Sequence, residues 1–250
     1  MTMIILEDIA KSYWVGGAPL PVLDGVSVQV GEGEFVSLIG PSGCGKSTLF
    51  SIICGLTAPD RGRVVLDGGN SAGAGDVVAY MPQKDLLLPW RTVLGNVVLA
   101  REVGGEDPKV VKREAQELME LFGLAGFENS YPADLSGGMR QRAALMRTVL
   151  ARRRVLLLDE PFGALDALTR AKMQQWLLEI WARFGPAVFF VTHDIDEAIF
   201  LSDRVYVLTQ RPARVALHLQ VHLPRPRRLA DVTTSGFLAH KKQIMDALYF

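Results

Sequence analysis

The sequence predicts an α/β protein: a parallel sheet covered on both faces, with an antiparallel β lobe beside it and a helical lobe inserted into it. Three short apolar runs carry this reading, at residues 35–39 (Phe-Val-Ser-Leu-Ile), 155–158 (Val-Leu-Leu-Leu) and 188–192 (Val-Phe-Phe-Val-Thr). Nearly continuous apolar strands of this length suit a sheet buried on both sides. Each run ends in polar loop residues and is followed by a helical pattern, the alternation of an α/β fold. Polar residues at the carboxyl ends of such strands are where open α/β sheets bind ligands.

The remaining elements follow in chain order. Residues 4–9, 26–30, 63–66 and 77–81 read as strands joined by Gly-rich turns and are expected to form the antiparallel lobe. Residues 94–150 read as helical, with Pro108 at a helix start and Gly104, Gly105 and Gly123 as breaks. The helical lobe is expected over about 84–150, inside a domain at 1–215. After Val215 the pattern fades: Leu223-Pro224-Arg225-Pro226-Arg227-Arg228 reads as a turn or extended stretch, and 237–250 as a short helix. Residues 216–250 are therefore expected to be a short tail rather than a separate regulatory domain.

Composition removes several function classes. The 250 residues carry 27 basic and 27 acidic side chains, so no global field draws the chain to nucleic acid or to an anionic membrane. Two cysteines, Cys44 and Cys54, do not make a secreted disulfide framework. The opening residues lack the basic flank and long apolar stretch of a signal peptide. No window holds the roughly 18 apolar residues of a spanning helix. The chain is expected in a reducing compartment, serving any membrane through a partner.

The first apolar run leads into Gly40-Pro41-Ser42-Gly43-Cys44-Gly45-Lys46-Ser47-Thr48, which matches G-x-x-x-x-G-K-[ST]. Glycines let backbone N–H groups turn inward around phosphate oxygens, and the following helix adds its positive N-terminus. Lys46 can then reach the β- and γ-phosphates, Ser47 is suited to Mg²⁺, and Thr48 to a phosphate oxygen. Asp159, at the end of the second run, fits the magnesium-holding carboxylate of such sites. Glu160 beside it is the candidate to orient or deprotonate the attacking water. Together these residues predict ATP with Mg²⁺ on a P-loop NTPase (RecA-like) core.

Leu135-Ser136-Gly137-Gly138-Met139-Arg140-Gln141 resembles the signature motif of ABC ATPases, and a helix is expected to run from it through Arg152. The resemblance implies that Ser136, Gly137, Gly138 and Gln141 meet the γ-phosphate held by a second ATPase subunit, with two ATP molecules sandwiched in a dimer. Other family elements occur in order. Gln83 resembles the Q-loop glutamine near magnesium and water. Ala164-Leu165-Asp166 resembles the D-loop at the dimer contact, His193 the switch histidine, and Tyr13 the ring that stacks on adenine. Glu160, His193, Gln83 and Lys46 are thus the expected catalytic set, with Ser47, Gln83 and Asp159 around the metal.

The family also implies a membrane partner. The apolar stretch around Leu86, Leu87, Leu88, Pro89 and Trp90 is expected to receive a permease subunit, since exposed apolar patches mark binding surfaces. Residues 88–97 and 223–227 resemble the nitrate, sulfonate and taurine importer branch, which includes importers of pyrimidine precursors. In that branch an extracytoplasmic binding protein delivers the solute to a separate permease. The chain is thus expected as a homodimeric, peripheral ATPase at the cytoplasmic face of the cell membrane, with no nucleic-acid partner. Two other readings remain open: an ATPase powering an exporter, and a non-transport ABC ATPase. The second calls for tandem cassettes or a coiled-coil insertion and a basic surface, none of which this sequence displays.

Overall fold

The apolar runs become neighbouring strands of one sheet in the computed structural model of the chain, which describes residues 2–67, 69–70, 74–163 and 165–249. Strands β1 (Thr2–Val15), β2 (Ala18–Gly31) and β3 (Phe35–Ile39) precede helix α1 (Lys46–Ile53). Then come β4 (Arg61–Leu66), β5 (Gly69–Asn70), α2 (Ala74–Val77) and β6 (Val78–Met81). The helical lobe holds α3 (Val93–Val97), α4 (Leu99–Val103), α5 (Pro108–Met119) and α6 (Gly137–Leu150). The chain returns through β7 (Val155–Asp159), α7 (Ala167–Phe184), β8 (Ala187–Thr192), α8 (Ile195–Leu201), β9 (Arg204–Leu208), β10 (Val215–Gln220) and α9 (Ser235–Tyr249).

The core sheet has the order β10-β9-β3-β8-β7-β6, parallel from β9 to β6, with only β10 antiparallel. Every residue of β3, β7 and β8 is buried, as two covered faces require. One face packs on α6, α7, α8 and α9; the other packs on α1 and the antiparallel lobe. That lobe is a second sheet, β2-β1-β4-β5. Its first two strands are long and meet at Gly16 and Gly17, whose φ values of 59° and 82° suit a tight hairpin. The hairpin tip extends beyond the expected strands because Pro19, Pro21 and exposed side chains there give no apolar alternation.

Three expectations are corrected. Residues 77–81 do not join the antiparallel lobe: β6 pairs parallel with β7, Val78 opposite Val155 and Met81 opposite Leu158. A four-residue run carries no sign of its direction, and β6 is covered like a core strand apart from the half-buried Tyr80. Residue 215 is also no structural boundary. β10 starts there and extends the core sheet, while Phe237 and Ile244 of α9 are buried in the main core. Helix α6 ends at Leu150 rather than at Arg152, whose φ of 51° has left the helix.

Candidate active site

Parallel order sets the geometry. Strands β3, β8, β7 and β6 lie side by side, so the residues following each carboxyl end converge on one edge. The loop after β3 supplies Gly40 to Gly45, and α1 begins at Lys46. Gly45 has a φ of 123°, and a Cβ there would lie 2.8 Å from both Leu23 Cδ2 and Val22 Cγ1. The loop is thus pressed against β2, which only glycine allows. The Lys46 ammonium donates to the carbonyls of Gly40 (2.8 Å) and Pro41 (3.0 Å) and is buried. The Cys44 thiol is buried beside Gly40 and burial pushes it up, while its N–H donates to Pro41 O (3.2 Å).

Ser47 Oγ donates to Asp159 Oδ2 at 2.8 Å, joining α1 to β7. Asp159 is only 3% exposed. Burial pushes its carboxyl up, opposed by the Ser47 bond, while the neighbouring Glu160 charge reinforces the rise. The hydroxyl of Tyr80 on β6 is pushed well above its usual value by burial and by the Asp159 charge. Tyr80 escaped the sequence reading, because an aromatic in a short apolar run reads as core.

Glu160 follows with a left-handed φ of 50°, an uncommon conformation for a non-glycine residue and a mark of functional sites. Its N–H donates to Val191 O at 2.9 Å. Its Oε2 accepts from Gln83 Nε2 at 3.3 Å and lies 3.2 Å from His193 Nδ1. Three residues singled out in separate sequence segments therefore meet on one carboxylate oxygen. His193 is largely exposed, whereas Glu160 is mostly covered.

In front of this edge lies an open cleft of about 520 Å³, lined by Ser42, Gly43 and Gly45 to Thr48, with Gln83 and Glu160 on one side and Tyr13 on the other. Leu20, Val15 and Val22 continue the Tyr13 wall. Trp14, adjacent in sequence, is exposed and is not part of that lining. Arg211 also lines the cleft, close enough to the phosphate loop that a Cβ on Gly43 would sit 2.8 Å from Arg211 Nη2. Nothing in the local sequence marks Arg211, since it reaches the loop from beyond β9. A larger cavity of about 590 Å³, floored by Leu150, Leu156 and Ile180, contains none of the expected site residues.

The 135–141 segment lies elsewhere: none of its residues lines the cleft. Ser136 caps α6, its Oγ accepting from Met139 N at 3.3 Å, with Gly137 and Gly138 opening the helix. Gln141, expected beside them at a partner's nucleotide, is instead 6% exposed in its own subunit. It shares its helix face with Leu145 and Thr148, both buried, at i+4 and i+7. Asp166 caps α7, accepting from Thr169 N at 3.0 Å, and hydrogen bonding from the Thr169 side chain and then its backbone holds the carboxyl below the usual range. Leu165 leans on Gly138, with a Cβ there 3.2 Å from Leu165 Cδ2. Ala164 lies outside the described residues.

Beyond Gln83 the chain is strapped to α6. Arg147 donates to the carbonyls of Asp85 (2.7 Å) and Leu86 (2.8 Å), and Arg140 Nε donates to the Asp85 carboxylate (3.2 Å). The buried Asn96 amide donates to the carbonyls of Leu88, Arg91 and Thr92 and accepts from Leu88 N. This scaffold leaves Leu86 59% and Trp90 72% exposed while Leu87 is buried. Asn96 was not foreseen; a polar residue inside an apolar helical run was its one signal.

A model of the ABC transporter family matches residues 23–163. The chain is 38% identical to a taurine import ATP-binding protein of Pseudomonas syringae, over all of this chain and 97% of that one. It is 42% identical to a formylaminopyrimidine import ATP-binding protein of Halalkalibacterium halodurans, over 92% of this chain and 89% of that one. Among solved structures, a dimeric ATP-binding cassette in a post-hydrolysis state with ADP and Pi superposes with a TM-score of 0.80 at 30% identity, covering 89% of this chain and all of that one. No helix among the described residues is long and apolar enough to cross a membrane. With its nucleotide cleft, its separate signature helix and these relatives, the chain belongs to the ABC transporter family as an ATP-binding, ATP-hydrolysing subunit.

Proposed function

We propose that the chain powers uptake of a small solute through a separate permease, as one half of a homodimer that closes on two ATP molecules at the cytoplasmic face of the membrane. One observation supports this most directly: the cleft has a phosphate loop and a wall with Tyr13, while no residue of the second anion-ready helix start, at Ser136, lines it. A second copy supplies the missing wall. Ser136, Gly137 and Gly138 of each subunit then cap the nucleotide on the other's loop, and Asp166 lies at the contact. The buried Gln141 acts there by supporting α6, not by touching ATP.

Within the cleft, Gly40 to Thr48 cradle the phosphates, and Lys46 exchanges its two loop carbonyls for phosphate oxygens. Tyr13 stacks on adenine. Mg²⁺ would be held by Ser47, Asp159 and Gln83 together with the phosphates. The donor set fits: a hydroxyl and a desolvated carboxylate are hard oxygen ligands already in contact at 2.8 Å. No cluster of three or more His, Cys, Asp or Glu suited to a metal occurs among the described residues. That agrees with a cation carried in on phosphate rather than held in an all-protein cage. Bound there, Mg²⁺ would supply positive charge to offset that of the phosphates.

Glu160 orients and deprotonates the attacking water, with Gln83 and His193 fixing its carboxylate; His193 also faces the γ-phosphate. ATP and water give ADP and phosphate by in-line displacement, driven by positioning and electrostatics. Closure draws the Gln83 loop and the Trp90 surface with it, which is how the permease senses nucleotide. The solute belongs to the permease and an extracytoplasmic binding protein; the relatives' cargoes, taurine and formylaminopyrimidine, differ widely in chemistry. The test is sedimentation of Glu160→Gln protein with and without ATP and magnesium. A nucleotide-dependent dimer is expected; a protein that binds ATP yet stays monomeric removes the homodimer.

A further inference from the structure

Helix α8 joins the switch residue to the end of the chain. It has seven residues, about 10 Å of rise, too short to persist without external bonds. The last carbonyls of a helix have no partner inside it, and here the tail provides them. Arg227 Nη1 donates to Ile199 O (2.9 Å), Phe200 O (3.1 Å) and Ser202 O (2.6 Å). Arg225 Nη2 donates to the intervening Leu201 O (2.8 Å). All four carbonyls at this end are thereby bound by two tail arginines, whose charge also suits the negative helix terminus.

The tail is itself held in place. The Arg225 guanidinium bonds Asp203 (2.7 and 2.9 Å) and lies 4.1 Å from the centroid of the Trp181 ring. Arg227 is 5% exposed and places a single guanidinium nitrogen, Nη1, among three carbonyls. In α9, Phe237 and Ile244 are buried in the main core, and Lys241 bridges to Asp196 on the first turn of α8 at 2.7 Å.

The other end of α8 is wired to the switch. Asp194 caps the helix, its Oδ1 accepting from Glu197 N at 3.1 Å. Thr192 Oγ1 accepts from Asp194 N at 3.0 Å and donates to the buried Glu197 carboxylate. Glu197 also accepts from Gln174 Nε2 of α7 at 2.9 Å. His193 therefore sits between two residues whose polar groups are tied into α8. A shift of the helix at its tail end reaches His193 through these bonds.

We propose that the C-terminal segment is a positioning clamp for the nucleotide switch, in which Arg227 acts through α8 and the Thr192–Glu197–Gln174 bonds to place His193 against Glu160. This rests on the role of His193 in hydrolysis proposed above. Misplacing a catalytic group by about 1 Å costs up to about 10²-fold in rate.

The experiment uses the full chain and compares Arg227→Met, Arg227→Lys, His193→Ala and the Arg227→Met/His193→Ala double variant, reading kcat, KM for ATP and equilibrium ATP binding. Arg227→Met is expected to lower kcat about tenfold with ATP binding unchanged. Arg227→Lys recovers part of the loss, and in the His193→Ala background Arg227→Met has no further effect. Wild-type kcat in Arg227→Met, or the same loss in both backgrounds, overturns the clamp while leaving the switch intact. Full turnover in His193→Ala overturns the switch itself, and the clamp with it. If Arg227→Met fails to fold, Arg225→Gln takes its place: lowered kcat at unchanged ATP binding supports the clamp, and wild-type kcat overturns it.

Discussion

Two helix starts in this chain look alike in sequence and differ in their surroundings. Glycines lie at both starts, in the turn before α1 and in the first turn of α6, where backbone N–H groups meet a positive helix end. At α1 the turn is walled by the hairpin, backed by Asp159 and already filled by the Lys46 ammonium. At α6 the Ser136 hydroxyl caps its own helix, and no residue of the segment lines the cleft. Binding one phosphate group needs charge, walls and a metal-side carboxylate, which only the first start has. The second supplies N–H groups alone, which suits the proposed role of capping a phosphate that the other subunit holds.

The largest effect that sharpens this contrast is at Glu160. Glu160→Gln should lower turnover by about 10²–10⁴-fold while ATP binding, read by fluorescent-nucleotide titration, stays within about twofold. A variant that hydrolyses ATP normally would mean the carboxylate is a bystander. Next come the two helix starts themselves. Lys46→Ala should weaken ATP binding by about 1.5–3 kcal/mol, the worth of a hydrogen bond to a charged group. Ser136→Arg should leave that binding alone and abolish nucleotide-dependent pairing in sedimentation. If Ser136→Arg instead weakens ATP binding by the monomer, the two starts share one site and the contrast fails.

A smaller effect is expected at Arg211, the cation that touches the phosphate loop without any motif to announce it. Arg211→Ala should weaken ATP binding about tenfold, with the loss fading when salt is raised. An unchanged affinity would make it a surface residue. The smallest effect concerns stability. Burial raises the Asp159 pKa in the folded state, so the unfolded carboxylate ionises first as pH rises. The resulting destabilisation is absent below the ordinary carboxylate value of about 4 and develops as pH rises through the folded value. Asp159→Asn should therefore raise the Tm of nucleotide-free protein by roughly 2–4 °C at neutral pH. By calorimetry the gain should vanish near pH 4; a lower Tm at neutral pH would show that the Ser47 bond outweighs burial.

What could be read without the structure was what is local in the chain. Residues 35–48 contain a strand, a turn and a helix start in one stretch, and 155–160 a strand and its acids, so pattern and chemistry coincide. The meeting of Gln83, Glu160 and His193 followed from strand order, which the three separate segments only implied. Direction was lost at 78–81, because four residues alternate too briefly to tell an edge of the core sheet from a hairpin. The tail was underestimated since Phe237 and Ile244 are isolated apolar residues whose partners lie on α8, β9 and β10. Tyr80 and Arg211 act by reaching groups distant in sequence, Asn96 by folding the preceding loop onto its own side chain, and Gln141 is buried by the facing of a helix, which a linear motif does not display.

The two bonds from Arg147 to the carbonyls of Asp85 and Leu86 have a mechanical meaning. They make the exposed Leu86–Trp90 surface and α6 move as one lever arm, with the carbonyls as its pin. A push arriving at Trp90 turns the Ser136 end rather than being absorbed as loop slack. In the proposed transporter, coupling through this arm rests on its stiffness, which the Arg147 bonds share with the Arg140–Asp85 pair.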